Sequence, residues 1–501
     1  MTQPCSSRAP RRWEGWAAPL LVALLVAHAD VAAVQATSGC LRCHAPIEPI
    51  AEGKMNKEIL RLGRRYGDPA GCVVCHGGEP AAVDRETAHR GAPSSLADAG
   101  GPKGFYARPG DVWVADRTCG QCHEGYADRV RKSVQSTQAE TVARHLCAPA
   151  WQMRARRESD RKLFGRYAIV DQDGPRPVVG SAAYKKLMAS AAERFPGRYP
   201  RRLYTAPRGI EHAVAGETGE SCEACHGEGD RPGLGPSCSS CHIPHRRDAG
   251  YQGEDPTIDR TTPGKLLVHR IQGTGGTRVR LPSDEDRVWS GVTMDNCFQC
   301  HFDPRHIEVS VLGSIYAHYA GHQQETGGKL VCQDCHTSIE MHGDGNIAAS
   351  NDAQREVNCE DCHGTTEQFP WELPLEVIGP HGTEIGASEA RGLAMRPADL
   401  AGIRYRAKDG YLLTSRGNPF GNVVKDGSKV LLHAALGPVY EVPLLKRRAM
   451  ENSWRSELGR QVKSLPSAHR SMGCTDCHAE WAPPCYGCHA KAALGGSGAS
   501  P

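Results

Sequence analysis

Twenty of the chain's 22 cysteines fall into ten copies of one pattern, in which two residues separate a cysteine pair and a histidine follows at once. The triplets are Cys40, Cys43 and His44; Cys72, Cys75 and His76; Cys119, Cys122 and His123; Cys222, Cys225 and His226; and Cys238, Cys241 and His242. They continue with Cys297, Cys300 and His301; Cys332, Cys335 and His336; Cys359, Cys362 and His363; Cys474, Cys477 and His478; and Cys485, Cys488 and His489. Only Cys5 and Cys147 stand outside the pattern. Thiol pairs with an imidazole nearby bind zinc, cycle as disulfides, or bond covalently to a prosthetic group.

The spacing decides among these. In C-x-x-C-H the two thiols add across the two vinyl groups of a porphyrin, and the histidine that follows meets the iron from one face. Zinc half-sites do not require a histidine directly after the second cysteine. Twenty free thiols in an exported chain would scramble into disulfides. Ten repeats without exception point to ten covalently bound c-type haems.

These motifs carry a resemblance. The chain is similar to the multihaem c-type cytochromes, and in haem number to decahaem ones. The resemblance implies a fold of coil and short α-helices wrapped around haems.

Composition agrees. Leu, Ile, Val and Phe make up about 17% of the 501 residues, too little for an ordinary hydrophobic core. The formal net charge of +3 is also far from that of a disordered chain. Macrocycles are therefore expected to fill the interior, and folding to be coupled to haem attachment. Haem propionates make the loaded protein acidic, so the sequence pI near 8.0 gives no ground for nucleic acid as a partner.

The start reads as an export signal, 1–36. Arg8, Arg11 and Arg12 precede the short apolar run AAPLLVALLVA, and small residues follow. No later stretch approaches twenty apolar residues, so no transmembrane helix is expected in the mature chain. The expected location is the periplasm, with the outer surface or the extracellular space as alternatives.

The motifs cluster. A trihaem segment is expected at 37–126, a haem-free helical insert at 127–210 and a pentahaem segment at 211–364. A second haem-free insert, β-rich in its latter half, follows at 365–468, then a dihaem segment with a flexible tail at 469–501. Val130, Val134, Val142 and Leu146 recur at helical spacing, and SAAYKKLMASAAERF stops before Pro196. YLLTS, FGNVV, KVLLH and VYEVPLL are strand candidates, with Asp-Gly turn signals before the first and third.

The opposite face of each iron decides whether a haem only passes electrons or also binds substrate. Twelve histidines lie outside both the motifs and the signal, against ten irons. Those near motifs are the first distal candidates: His212, His245, His306, His322, His342 and His469. His89, His145, His269, His318, His381 and His433 follow. Supply covers demand, so electron transfer between redox-protein donors and acceptors, within a respiratory chain or an outer-membrane complex, is the first expectation. A multihaem oxidoreductase acting on a nitrogen or sulfur oxyanion at one open haem is the alternative, and a subunit of an extracellular filament is the second.

Overall fold

The computed structural model describes residues 38–146, 162–172, 182–206, 237–245, 249–261, 266–271, 277–280, 286–289, 329–377, 385–395, 407–435 and 437–455, with 292, 296, 297, 322, 327 and 460. The export segment, Cys147, the tail and the motifs at 222–226, 474–478 and 485–489 lie outside the described residues, as does the motif at 297–301 apart from Cys297. Two compact units form: 1–109 with 247–291, and 110–246 with 292–501.

In the first unit, short helices at Leu41–His44 and Cys72–His76 flank the helix Gly53–Arg65. The apolar core here is small: Tyr66, Val73 and Leu96, with Leu62 against them. Asp68 does much of the local organisation. Its buried carboxylate accepts from the Ser38 hydroxyl at 2.8 Å and the Val73 amide at 3.0 Å, which ties the approaches to the first two motifs together.

In the second unit, the haem-free segment after His123 is not one helix. It breaks into Tyr126–Lys132, Val134–Thr137 and Ala139–Leu146. Ser133 and Ser136 both donate to the Val130 carbonyl, at 2.7 and 2.6 Å, and so compete with the helical ladder. Gln138 then takes a left-handed conformation, with φ of 50°. A short sheet, unforeseen in the sequence, follows: Arg202–Thr205 lies between Phe164–Gly165 and Ile169–Val170. The segment SAAYKKLMASAAERF forms Ala182–Met188 and Ala191–Arg194, as its periodicity predicts.

The second insert contains a four-stranded antiparallel sheet in sequential order, Gly410–Leu413, Pro419–Asp426, Lys429–His433 and Val439–Glu441. All four expected strands are present, the last cut short by the helix Leu445–Glu451. Asp426 pairs with Lys429 across a two-residue loop, and Gly427 supplies the positive φ of 60° that this tight turn requires. One face of the sheet buries Leu412, Phe420, Val423, Val430 and Leu432, and Cys362 of a haem motif packs against that cluster.

Two buried charge clusters fasten this sheet. The Arg416 guanidinium donates to the Ala353 carbonyl at 2.5 Å and lies 3.5 and 3.6 Å from the Asp344 and Glu356 carboxylates. Arg391 meets Asp361, inside the motif 359–363, at 2.5 Å, with both side chains almost wholly buried. Replacing Arg391 with alanine strands a buried carboxylate, so a loss of about 3–5 kcal/mol is expected. Denaturant titration of the haem-loaded variant measures it, and a midpoint shift that converts to less than about 1 kcal/mol contradicts it.

Candidate haem centres

Six motifs lie wholly within the described residues, and each is a single helical turn. The histidine amide closes back on the carbonyl of the first cysteine, at 3.1 Å for His44 and 2.8 Å for His123 and His336. Residues three and four apart share a helix face, so one turn sets both thiols and the imidazole on one side. That is the local reason for the spacing. Polar side chains start these turns: Ser237 accepts from the Ser240 amide, and Asp361 and Asp334 accept from the Asn358 and Val331 amides. The acidic residue inside CEDCH and CQDCH is therefore a cap. Arg391 forms a buried ion pair with Asp361.

Four motif histidines face a second imidazole. His44 and His89 have ring centres 6.2 Å apart, His76 and His269 6.2 Å, His242 and His342 6.1 Å, and His363 and His322 6.3 Å. Two imidazoles on opposite sides of one iron, each bound through nitrogen at roughly 2 Å with its ring centre about 1 Å beyond, give about 6 Å between centres. The residues fit a haem iron at each of these four places.

The remaining ring nitrogens agree with that fit. Nδ1 of His76 sits 2.8 Å from the Tyr106 carbonyl, Nδ1 of His363 2.8 Å from that of Pro443, and Nδ1 of His342 2.8 Å from that of Ser338. Each contact fixes the tautomer that leaves Nε2 free for a metal. Nδ1 of His269 is buried with no hydrogen-bond partner among the described residues, so the polypeptide alone does not satisfy that ring. Burial drives His76 and His342 down to about 4 and lowers His242, His269 and His89 as well. These rings are neutral at pH 7, the form iron binds. His336 differs. The Glu340 carboxylate beside it holds its imidazole up at about 9.

Of the first six distal candidates, His322 and His342 stand opposite motif histidines. His245 turns Nδ1 onto the Ile243 carbonyl at 2.5 Å, and no described motif histidine is recorded opposite its ring. His212, His306 and His469 lie outside the described residues, as do His226, His301, His478 and His489. His89 and His269 were ranked behind these six, yet both sit opposite motif histidines.

Sulfur contacts join motifs across long stretches of chain. The Cys40 thiol meets Cys72, Cys119 meets Cys238, and Cys297 meets Cys332, each within hydrogen-bond reach. Cys335 feels both Cys359 and Cys362. Cys40, Asp68 and Cys72 offer ligand atoms within 4.8 Å of one another, and both sulfurs belong to C-x-x-C-H motifs.

Both haem-free inserts act as supports. The Asn422 amide donates to the Asp334 carbonyl at 3.2 Å, the Ala435 amide meets the Asp334 carboxylate at 2.8 Å, and the Pro443 carbonyl holds His363. From the first insert, Arg129 donates to the Gly343 carbonyl at 2.8 Å, and Tyr126, just before the insert, packs edge-on against His342. Gly343 has φ of 79°, and a Cβ there would fall 2.9 Å from the Arg129 carbonyl, so this approach requires glycine.

Residues 212–372 match the family model described as outer membrane cytochrome MtrC/MtrF-like, domains II/IV. No curated protein and no solved structure gives a significant match. The matched stretch contains five of the ten motifs and supports a multihaem c-type cytochrome. The observed mixture of coil, short helices and a small antiparallel sheet accords with it. Among the described residues, no helix is long and apolar enough to cross a membrane.

Proposed function

We propose that the chain is an exported electron-transfer protein carrying ten covalently attached c-type haems, working at the outer surface of the cell between redox-protein partners. The carrying observation is the set of four opposed imidazole pairs. At each, two imidazoles stand at a separation that would let both hold one haem iron. Bound haem supplies a one-electron couple. The cysteines of each motif fix it covalently, and the motif histidine approaches from one face. His89, His269, His342 and His322 would be the second iron ligands beside His44, His76, His242 and His363. The Tyr106, Ser338 and Pro443 carbonyls hold these rings in one tautomer and orientation. The sulfur contacts keep neighbouring attachment sites close, as rapid electron exchange requires. The match to an outer membrane cytochrome family supports the surface location and an outer-membrane complex as partner.

Two measurements on the purified protein test this. Mass spectrometry under denaturing conditions should give the polypeptide plus ten haems, and the oxidised spectrum should be low-spin. Fewer than eight haems, or a mostly high-spin spectrum that shifts with added ligand, overturns the reading.

A further inference from the structure

Among the described motif histidines, two hold Nδ1 against a carboxylate. His336 Nδ1 lies 2.8 Å from Glu340 Oε1, and His44 Nδ1 lies 2.8 Å from Asp255 Oδ2. His76 and His363 have neutral carbonyls in the same place. Both carboxylates are shielded from water, with side-chain exposures of 13% for Glu340 and 0% for Asp255. Both are also built in. Glu340 sits one helical turn beyond His336, in the helix Ser338–His342, and its Oε2 accepts from the Glu356 amide at 3.3 Å. Asp255 Oδ1 accepts from the Thr257 amide and hydroxyl, each at 2.8 Å. Thr257 Oγ1 stands 2.9 Å from the same His44 nitrogen.

Among the described residues, neither carboxylate forms an ion pair with lysine or arginine. That separates them from Asp361, whose charge Arg391 cancels. A negative charge hydrogen-bonded to an iron-bound imidazole makes the ring a stronger donor. It also favours the ferric state, which carries one more positive charge than the ferrous, most strongly where water is excluded.

We infer that Glu340 and Asp255 are potential-setting residues: each makes the haem of its histidine more reducing than the carbonyl-supported haem of the same unit, His336 against His363 and His44 against His76. This rests on the haem-binding reading above. It adds a sorting of the centres in each unit, with the electron held preferentially at the carbonyl-supported site.

Spectroelectrochemical titration of the haem-loaded protein tests it, with Glu340→Gln and Asp255→Asn. Each variant keeps the acceptor and removes the charge. In each, one haem's share of the absorbance should move to higher potential, and the double variant should show both shifts. Glu340→Asp should return the first shift toward wild type. A Glu340→Gln or Asp255→Asn curve that superimposes on wild type overturns the inference for that haem. An equal shift in Glu340→Asp and Glu340→Gln also overturns it, because position rather than charge would then matter. Haem number and spin state, read on the same samples, report separately on the underlying haem assignment.

Discussion

Replacing His342 with alanine is expected to turn one haem from low to high spin and leave the other centres unchanged. The ring lies 6.1 Å from that of His242, with their planes only 18° apart. It ends the helix Ser338–His342, which begins two residues after His336, so one short segment serves two different haems. Its Nδ1 is held by the Ser338 carbonyl, and its ring packs edge-on with Tyr126. Removing the imidazole leaves a pocket beside the iron that water, cyanide or carbon monoxide can enter. The shortened side chain costs about 1–3 kcal/mol. The check is a high-spin signal equal to one haem, with binding of one exogenous ligand per molecule. An unchanged low-spin spectrum means that another group is the sixth ligand. In contrast, Ser338→Ala keeps the backbone carbonyl and should leave the spin state as it is.

The motif turns were legible in the sequence because their spacing is a local signal. Two thiols and an imidazole must share one turn, so Cys72–His76 or Cys359–His363 is recognisable without its surroundings. The histidines that stand opposite motif histidines were only partly legible. His342 and His322 lie near motifs, and nearness to a motif was the criterion. His89 and His269 escaped it because each meets a motif histidine through tertiary closure, His76 to His269 being the longest. Nothing in local spacing encodes which strand of coil returns to a given iron. The carboxylates show the same contrast. Glu340, one turn after His336, was within reach of a helical reading, whereas Asp255 comes to His44 from more than two hundred residues away.

The inserts divide in the same way. Alternation and Asp-Gly turns announced the sheet 410–441, because a hairpin is also local. The break of the helix at Ser133 was not announced. There the Val130 carbonyl takes two hydroxyl donors while Arg129 and Lys132 are buried beneath neighbouring chain, and tertiary contacts override the apolar periodicity. That both inserts brace haem motifs was invisible in sequence, since Asn422, Ala435, Pro443 and Arg129 carry no signature of their partners.

The chain made in cells that cannot attach haem is expected not to fold at all. In the first unit the apolar clusters are small and separate. The first unit gathers Tyr66, Val73 and Leu96 around its two motifs, and Leu267 with two flanking residues elsewhere. Ordering a residue costs about 1–2 kcal/mol of backbone entropy, which clusters of this size do not offset. Several polar groups buried in the structure make matters worse for a bare chain. Arg416, Asp344 and Glu356 must leave water together, and burial already pushes Glu356 up to about 7. Such a cluster persists only where the surrounding packing is secure. The haem-free chain, kept reduced, should therefore show no cooperative melting transition and no near-ultraviolet circular dichroism, and should be degraded rapidly by protease. A cooperative transition in that material would mean that the polypeptide holds its own core and that the macrocycles are passengers in a fold complete without them.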